Sequence, residues 1–162
     1  MTTDEFMAIE QIRATITRYA WSVDAADYVA MARCFTVGGK LQVTSEMTLH
    51  GRQDISDTLG GRALARGHGN SGTRFQRHNV SNIQIELDGD RAAARCYFTV
   101  FTEIGLDHLG RYEDRFVKHG TEWLMEDRVC RLDAVSARSR FAPALMGEAP
   151  FIQETGEAQA PP

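Results

Sequence analysis

The sequence predicts an α+β domain in which helices come first and a meander of antiparallel strands follows. Three observations carry that expectation. Apolar residues over the first 24 positions recur at alternating steps of three and four, residues 75–132 alternate apolar with polar, and the two regimes meet at a glycine-rich stretch, residues 60–72. Segregated helices and strands of this kind pack as one sheet covered by helices rather than as a parallel α/β sandwich.

Each element has its own signal. Thr2-x-x-Glu5 is a capping box, and Phe6, Ile9, Ile12, Ile16, Tyr19 and Val23 form the apolar stripe of the helix it starts. A second helix is expected from about Asp27, with Tyr28, Met31, Ala32 and Phe35 on one face and Gly38-Gly39 as its end. Residues 41–43 and 47–49 read as two short strands, and Gly51 precedes a helical stretch carrying Ile55 and Leu59. Gly60, Gly61, Gly67, Gly69 and Gly72 argue against regular structure in residues 60–72, which are expected to form a mobile loop or lid. Residues 75–87 and 91–103 flank Asp88-Gly89-Asp90, a hairpin turn, with Ala92, Ala94, Cys96, Phe98 and Val100 facing the core. Residues 110–117 and 123–132 form the next pair, in which Tyr112, Asp114 and Phe116 share a face. Residues 1–141 are expected to make one domain and residues 142–162 a partly flexible tail, which only Phe151 and Ile152 could anchor.

Composition narrows the function. The balance of 18 basic and 22 acidic residues gives a net charge of −4, which offers no footprint for nucleic acid and little attraction to an anionic membrane. No apolar run approaches the roughly 20 residues of a membrane span and the first residues are acidic rather than basic, so a cytoplasmic location is expected. Cys34, Cys96 and Cys130 are odd in number and widely spaced, which fits neither a disulfide framework nor a metal site, and no His, Asp, Glu and Cys set has metal-ligand spacing. No cofactor is expected.

The candidate chemistry rests on an imidazole and a carboxylate from distant segments. His78 opens the longest strand-like run, and Asp24 lies at the edge of the buried stripe of the first helix, where an unpaired carboxylate is costly. Asp24 could instead cap the second helix, although Asp27 is the better cap. If the fold joins Asp24 to His78, the imidazole can act as a general base that the carboxylate orients, and turnover should rise with pH through the histidine titration. Tyr19 is either a core aromatic or a group that polarises a substrate oxygen. Arg128 either forms an ion pair with Asp114 or reaches the pocket, with Arg131 as competitor because one bulge shifts strand parity. Phe98, Tyr112 and Trp123 are further candidates for substrate contact. His50, His68, His108 and His119 are expected to be solvated, with His108 the alternative pocket histidine.

Over residues 10–131 the text resembles the SnoaL-like group of the nuclear transport factor 2-like superfold. Tyr19 with Asp24, the His-Asn-x-x-Asn-Ile entry at His78, Asp88-Gly89-Asp90-x-Ala92, Gly110-x-Tyr112-x-Asp114, and Trp123 followed by Arg128 carry that resemblance by their order and spacing. It implies a cone-shaped barrel made of one curved antiparallel sheet against the N-terminal helices, enclosing an apolar pocket. It also implies a His78–Asp24 dyad that abstracts a proton, as in dehydratases and a hexachlorocyclohexane dehydrochlorinase; bile acid dehydratases also have a tyrosine at the position of Tyr19. The function so implied is a cofactor-independent lyase or isomerase acting on a hydrophobic cyclic molecule. A polyketide cyclase and a noncatalytic subunit, like the small subunit of ring-hydroxylating dioxygenases, are the alternatives. Scytalone dehydratase has a second pocket histidine late in the strand after the central hairpin, where this chain reads Phe98-Thr99-Val100-Phe101, so the resemblance does not extend to its two-histidine mechanism. A homodimer or homotrimer is expected, docked through the sheet face carrying Arg95, Tyr97 and Thr99.

Overall fold

The chain enters helix α1 (Thr3–Asp24) through the expected capping box: Thr2 Oγ1 accepts from Glu5 N at 3.2 Å, and Glu5 Oε2 accepts from Thr2 N at 2.6 Å. Ile12, Ile16 and Tyr19 of its stripe are buried, whereas Phe6 stays 48% exposed. A computed structural model describes residues 1–65, 75–141 and 149–152. Most of the glycine-rich segment and most of the tail lie outside these residues.

Two local expectations are corrected. Helix α2 is confined to Tyr28–Ala32, and strand β1 (Phe35–Gln42) begins at Phe35 and contains Gly38-Gly39. Met125 N donates to Cys34 O at 2.9 Å, so pairing with a distant strand takes over where helical spacing suggested another turn. Gly39 is needed at the irregularity between Phe35 and Lys40, because a Cβ there would lie 2.9 Å from Met125 O. Strand β2 (Thr48–His50) leads into helix α3 (Gly51–Ala65), which contains Gly60 and Gly61. Two glycines weaken a helix without ending it when neighbours hold it, and α3 packs on α2, β1 and β2.

The meander is as expected in kind and longer in extent: β3 (Arg77–Asp88), β4 (Arg91–Thr102), β5 (Gly105–His119) and β6 (Glu122–Val135). The sheet order is β2-β1-β6-β5-β4-β3, with β1 parallel to β6 and the other neighbours antiparallel. It is therefore a curved open sheet with edges at β2 and β3, not a closed barrel, and not wholly antiparallel. Ala92, Ala94, Cys96, Phe98 and Val100 of β4 all face the core with Tyr112 and Phe116 of β5, against Ile12, Ile16 and Tyr19 of α1. Each large apolar side chain buried this way contributes about 1.5–3 kcal/mol. The outer face carries ion pairs such as Arg111–Asp133 (2.6 Å) and Arg131–Glu113 (3.1 Å), and Tyr97 stands 53% exposed among them.

Gly110 permits a close strand approach that decides the register of β5 on β6. A Cβ at this position would sit 2.1 Å from Arg131 O, a backbone atom beside the bulge between Leu109 and Gly110. Gly110→Ala should therefore cost about 1–3 kcal/mol through forced backbone shifts. Urea unfolding of the variant beside the parent checks this.

Candidate active site

Asp24 is the last residue of α1, where the helix presents its negative end and a carboxylate needs donors to be stable. Edge strand β3 supplies them. His78 N–H approaches Asp24 Oδ1 and Oδ2 at 3.2 and 3.1 Å, and His78 Nδ1 lies 2.7 Å from Asp24 Oδ1. Gln76 Nε2 donates to Val23 O at 2.6 Å, so two side chains pin the end of the helix to the start of the strand. An ionised carboxylate only accepts, so Nδ1 carries the shared proton and neutral His78 keeps a bare Nε2. The helix-cap alternative falls to Asp27, whose Oδ1 accepts from Ala30 N at 2.8 Å.

The dyad is close to buried, each side chain 10% exposed. It lines a cleft of about 580 Å³ between α1 and β3, walled by Thr17, Ala20, Trp21, Arg77, Asn79, Val80 and Phe101. Trp21, 71% exposed, and Phe101, 39% exposed, give it aromatic surface that the sequence reading did not single out. The missed signal was that Trp21 lies one turn before Asp24 on the same helix.

In the core, Arg128 lies between two rings, its guanidinium carbon 4.2 Å from the centre of Tyr19 and 4.0 Å from that of Tyr112. Its Nε and Nη2 donate to Asp114 Oδ1 and Oδ2 at 2.8 and 2.7 Å, and both residues are buried. Burial disfavours the charge on Arg128, but Asp114 more than restores it and holds the group well above its ordinary value. Arg128 Nη1 is buried and has no hydrogen bond among the described residues. Tyr112 stacks on Phe98 with centroids 4.4 Å apart, and burial drives the Tyr19 and Tyr112 hydroxyls above their ordinary range. Burial also pushes the thiols of Cys96 and Cys130 up to about 11 and about 12, so both are protonated, weakly polar fillers.

Of the expected site residues, Tyr19, Phe98, Tyr112 and Arg128 thus join one cluster, and Arg131 is on the outer face with Glu113. The register shift between Arg115 and Phe116 makes that choice. Trp123 is not brought to the dyad. It is buried against the middle of α1, where Thr15 Oγ1 donates to Trp123 O at 2.9 Å, nine residues before Asp24 ends the same helix.

His50 and His119 are exposed, and His68 lies outside the described residues. His108 departs from the expectation of a solvated ring. Its Nδ1 is 2.7 Å from Asp107 Oδ1, and its side chain is 12% exposed against a fully buried Asp107. Ser139 Oγ, Thr102 Oγ1 and Arg140 N also donate to Asp107. Adjacent strand residues should face opposite ways; the register shift between Val100 and Phe101 turns both inward. Burial lowers the histidine below its ordinary value of 6.5, outweighing the pull of Asp107. Burial raises the aspartate, but hydrogen bonds from His108 and Ser139 bring it below its ordinary value.

Both shifts act on stability in one direction. As pH falls below about 6.5, an unfolded chain takes up the proton that native His108 resists, so stability drops until the lowered native value is reached. Asp107 contributes stability above the ordinary carboxylate value and loses it as pH falls through that value to its lowered native one. His108→Phe should therefore show a shallower loss of stability than the parent between pH 7.5 and 5.5. Urea midpoints at the two pH values measure it.

A model of the SnoaL-like domain matches residues 4–129 of this chain. A single-residue variant of Rv3472, a Mycobacterium tuberculosis protein of unknown function, has 26% identity and a TM-score of 0.70, covering 82% of this chain and 75% of its own. A provisionally assigned scytalone dehydratase from Novosphingobium aromaticivorans has 22% identity and a TM-score of 0.69, covering 82% and 88%. The beta subunit of a provisionally assigned aromatic-ring-hydroxylating dioxygenase from the same organism has 22% identity and a TM-score of 0.60, covering 78% and 87%. No curated protein matches the chain. Among the described residues, no helix is long and apolar enough to cross a membrane, and no cluster could hold a metal ion.

Proposed function

The chain belongs to the SnoaL-like family, and from that premise we propose that it is a cofactor-independent lyase or isomerase in which His78 removes a proton from a hydrophobic cyclic molecule. The observation that carries this reading is the 2.7 Å contact between His78 Nδ1 and Asp24 in the wall of an aromatic-lined cleft. Asp24 fixes the tautomer that leaves Nε2 free and stabilises the imidazolium formed when Nε2 takes the proton. Trp21 and Phe101 furnish aromatic wall of that cleft, and Tyr19 and Arg128, which are buried with Phe98 and Tyr112 rather than lining it, are assigned the task of placing the substrate oxygen or easing departure of the leaving group. Dehydration, dehydrohalogenation, isomerisation and cyclisation all begin with this step.

The test uses a substrate that needs only a base in an apolar site. With 5-nitrobenzisoxazole, His78 would take the C3 proton while the C–H pair forms the nitrile and the N–O bond breaks to release a phenolate. Turnover above buffer that His78→Ala removes is the expected result. Turnover that survives in His78→Ala refutes the assignment of the base. A noncatalytic subunit remains the second reading, favoured by the packing of Tyr19, Tyr112 and Arg128 into the interior and by the likeness in fold to a dioxygenase beta subunit. No turnover of this probe or of hydrated and halogenated cyclic compounds would favour it.

A further inference from the structure

We infer, resting on the proton-abstraction reading above, that His108 is the second polar contact of the substrate, its Nε2 accepting a hydrogen bond from a substrate hydroxyl. The class is then a hydrophobic ring system with an acidic C–H at one end and a hydroxyl at the other.

The sheet register places the two histidines. His78 pairs with Val100, and Val100 pairs with His108, so both stand in one row on the inner face with one strand between them. Two strand spacings separate their backbones by roughly 10 Å. Each ring is fixed in the same manner, Nδ1 2.7 Å from its own carboxylate, and each side chain keeps about a tenth of its surface exposed, 10% and 12%. A positive charge on His78 disfavours one on His108.

His108 is held as an acceptor. Asp107, satisfied by Ser139, Thr102 and Arg140 N, takes the Nδ1 proton, and Phe98 and Phe141 pack on the ring with centroids 6.0 and 5.2 Å away. A neutral imidazole so held has one lone pair left, on Nε2, which makes no hydrogen bond among the described residues. A largely buried acceptor of that kind rejects a ligand that cannot donate to it.

Two probes differing only in the donor test this: 2-naphthol and 2-methoxynaphthalene, titrated by fluorescence into the whole protein. The parent should hold the naphthol about tenfold tighter, and His108→Phe should reduce that preference to near unity. The nitrogen NMR signal of His108 Nε2 in the parent should shift with 2-naphthol and not with its ether, a readout independent of whether the variant folds. No preference in the parent, a preference retained by His108→Phe, an unmoved Nε2 signal, or failure to bind either probe overturns the inference. A preference lost in His78→Phe and kept in His108→Phe would put the hydroxyl at His78. Benzisoxazole turnover reports separately: if it depends on His78 while the hydroxyl preference is absent, this inference alone fails, and if it survives in His78→Ala the base assignment fails.

Discussion

His78→Ala is expected to lower turnover of a proton-abstraction substrate by ~10²–10⁴-fold, the range a positioned general base contributes, while the unfolding midpoint stays close to that of the parent. The split follows from geometry. Alanine keeps the backbone N–H that donates to Asp24, so the junction between α1 and β3 survives, and only the ring is lost. Asp24→Asn should be almost as damaging, because the amide keeps the size but cannot stabilise the imidazolium. The double variant should be little worse than either single one, since the two residues act as a unit. Rates and urea midpoints of the three variants decide the matter. Additive losses would mean that Asp24 and His78 serve separate purposes.

The largest effect on stability is expected at Asp114. Asp114→Ala leaves the Arg128 guanidinium buried between Tyr19 and Tyr112 with no counter-charge, which should cost about 3–5 kcal/mol. Replacing both partners by apolar residues of similar volume, Asp114→Leu with Arg128→Met, should recover most of that loss, because a desolvated ion pair is often no better than a packed core. The comparison also separates structure from function. A double variant that folds well but loses 5-nitrobenzisoxazole turnover would show that Arg128 serves the substrate; full turnover would confine it to the core. Chemical denaturation and the same rate assay supply both numbers.

How legible the molecule is from its text depends on how local the deciding interaction is. The capping box at Thr2, the cap at Asp27, the Asp88-Gly89-Asp90 turn and the inward set of β4 are read correctly because each is settled by neighbours within a few residues. Phe35 is misread as helical because its spacing fits the helix, and what makes it a strand is β6, ninety residues away. Trp123 is misassigned for a related reason: it has the right chemistry for a pocket, but its place along β6 sets it against the middle of α1, away from Asp24.

Tyr19, Asp24 and His78 could be singled out as candidates from the sequence itself, by their order and the apolar stripe around them. So was the α+β class, since period and capping are properties of short stretches of chain. Only the tertiary structure decided that Asp24 meets His78 through both backbone and ring, that Arg128 and not Arg131 enters the core, and that His108 is fixed by Asp107 rather than solvated. The physical reason is strand parity. A single irregularity reverses the face of every residue beyond it, and irregularities arise where chains distant in sequence are forced into register, as at Arg115–Phe116 and Val100–Phe101.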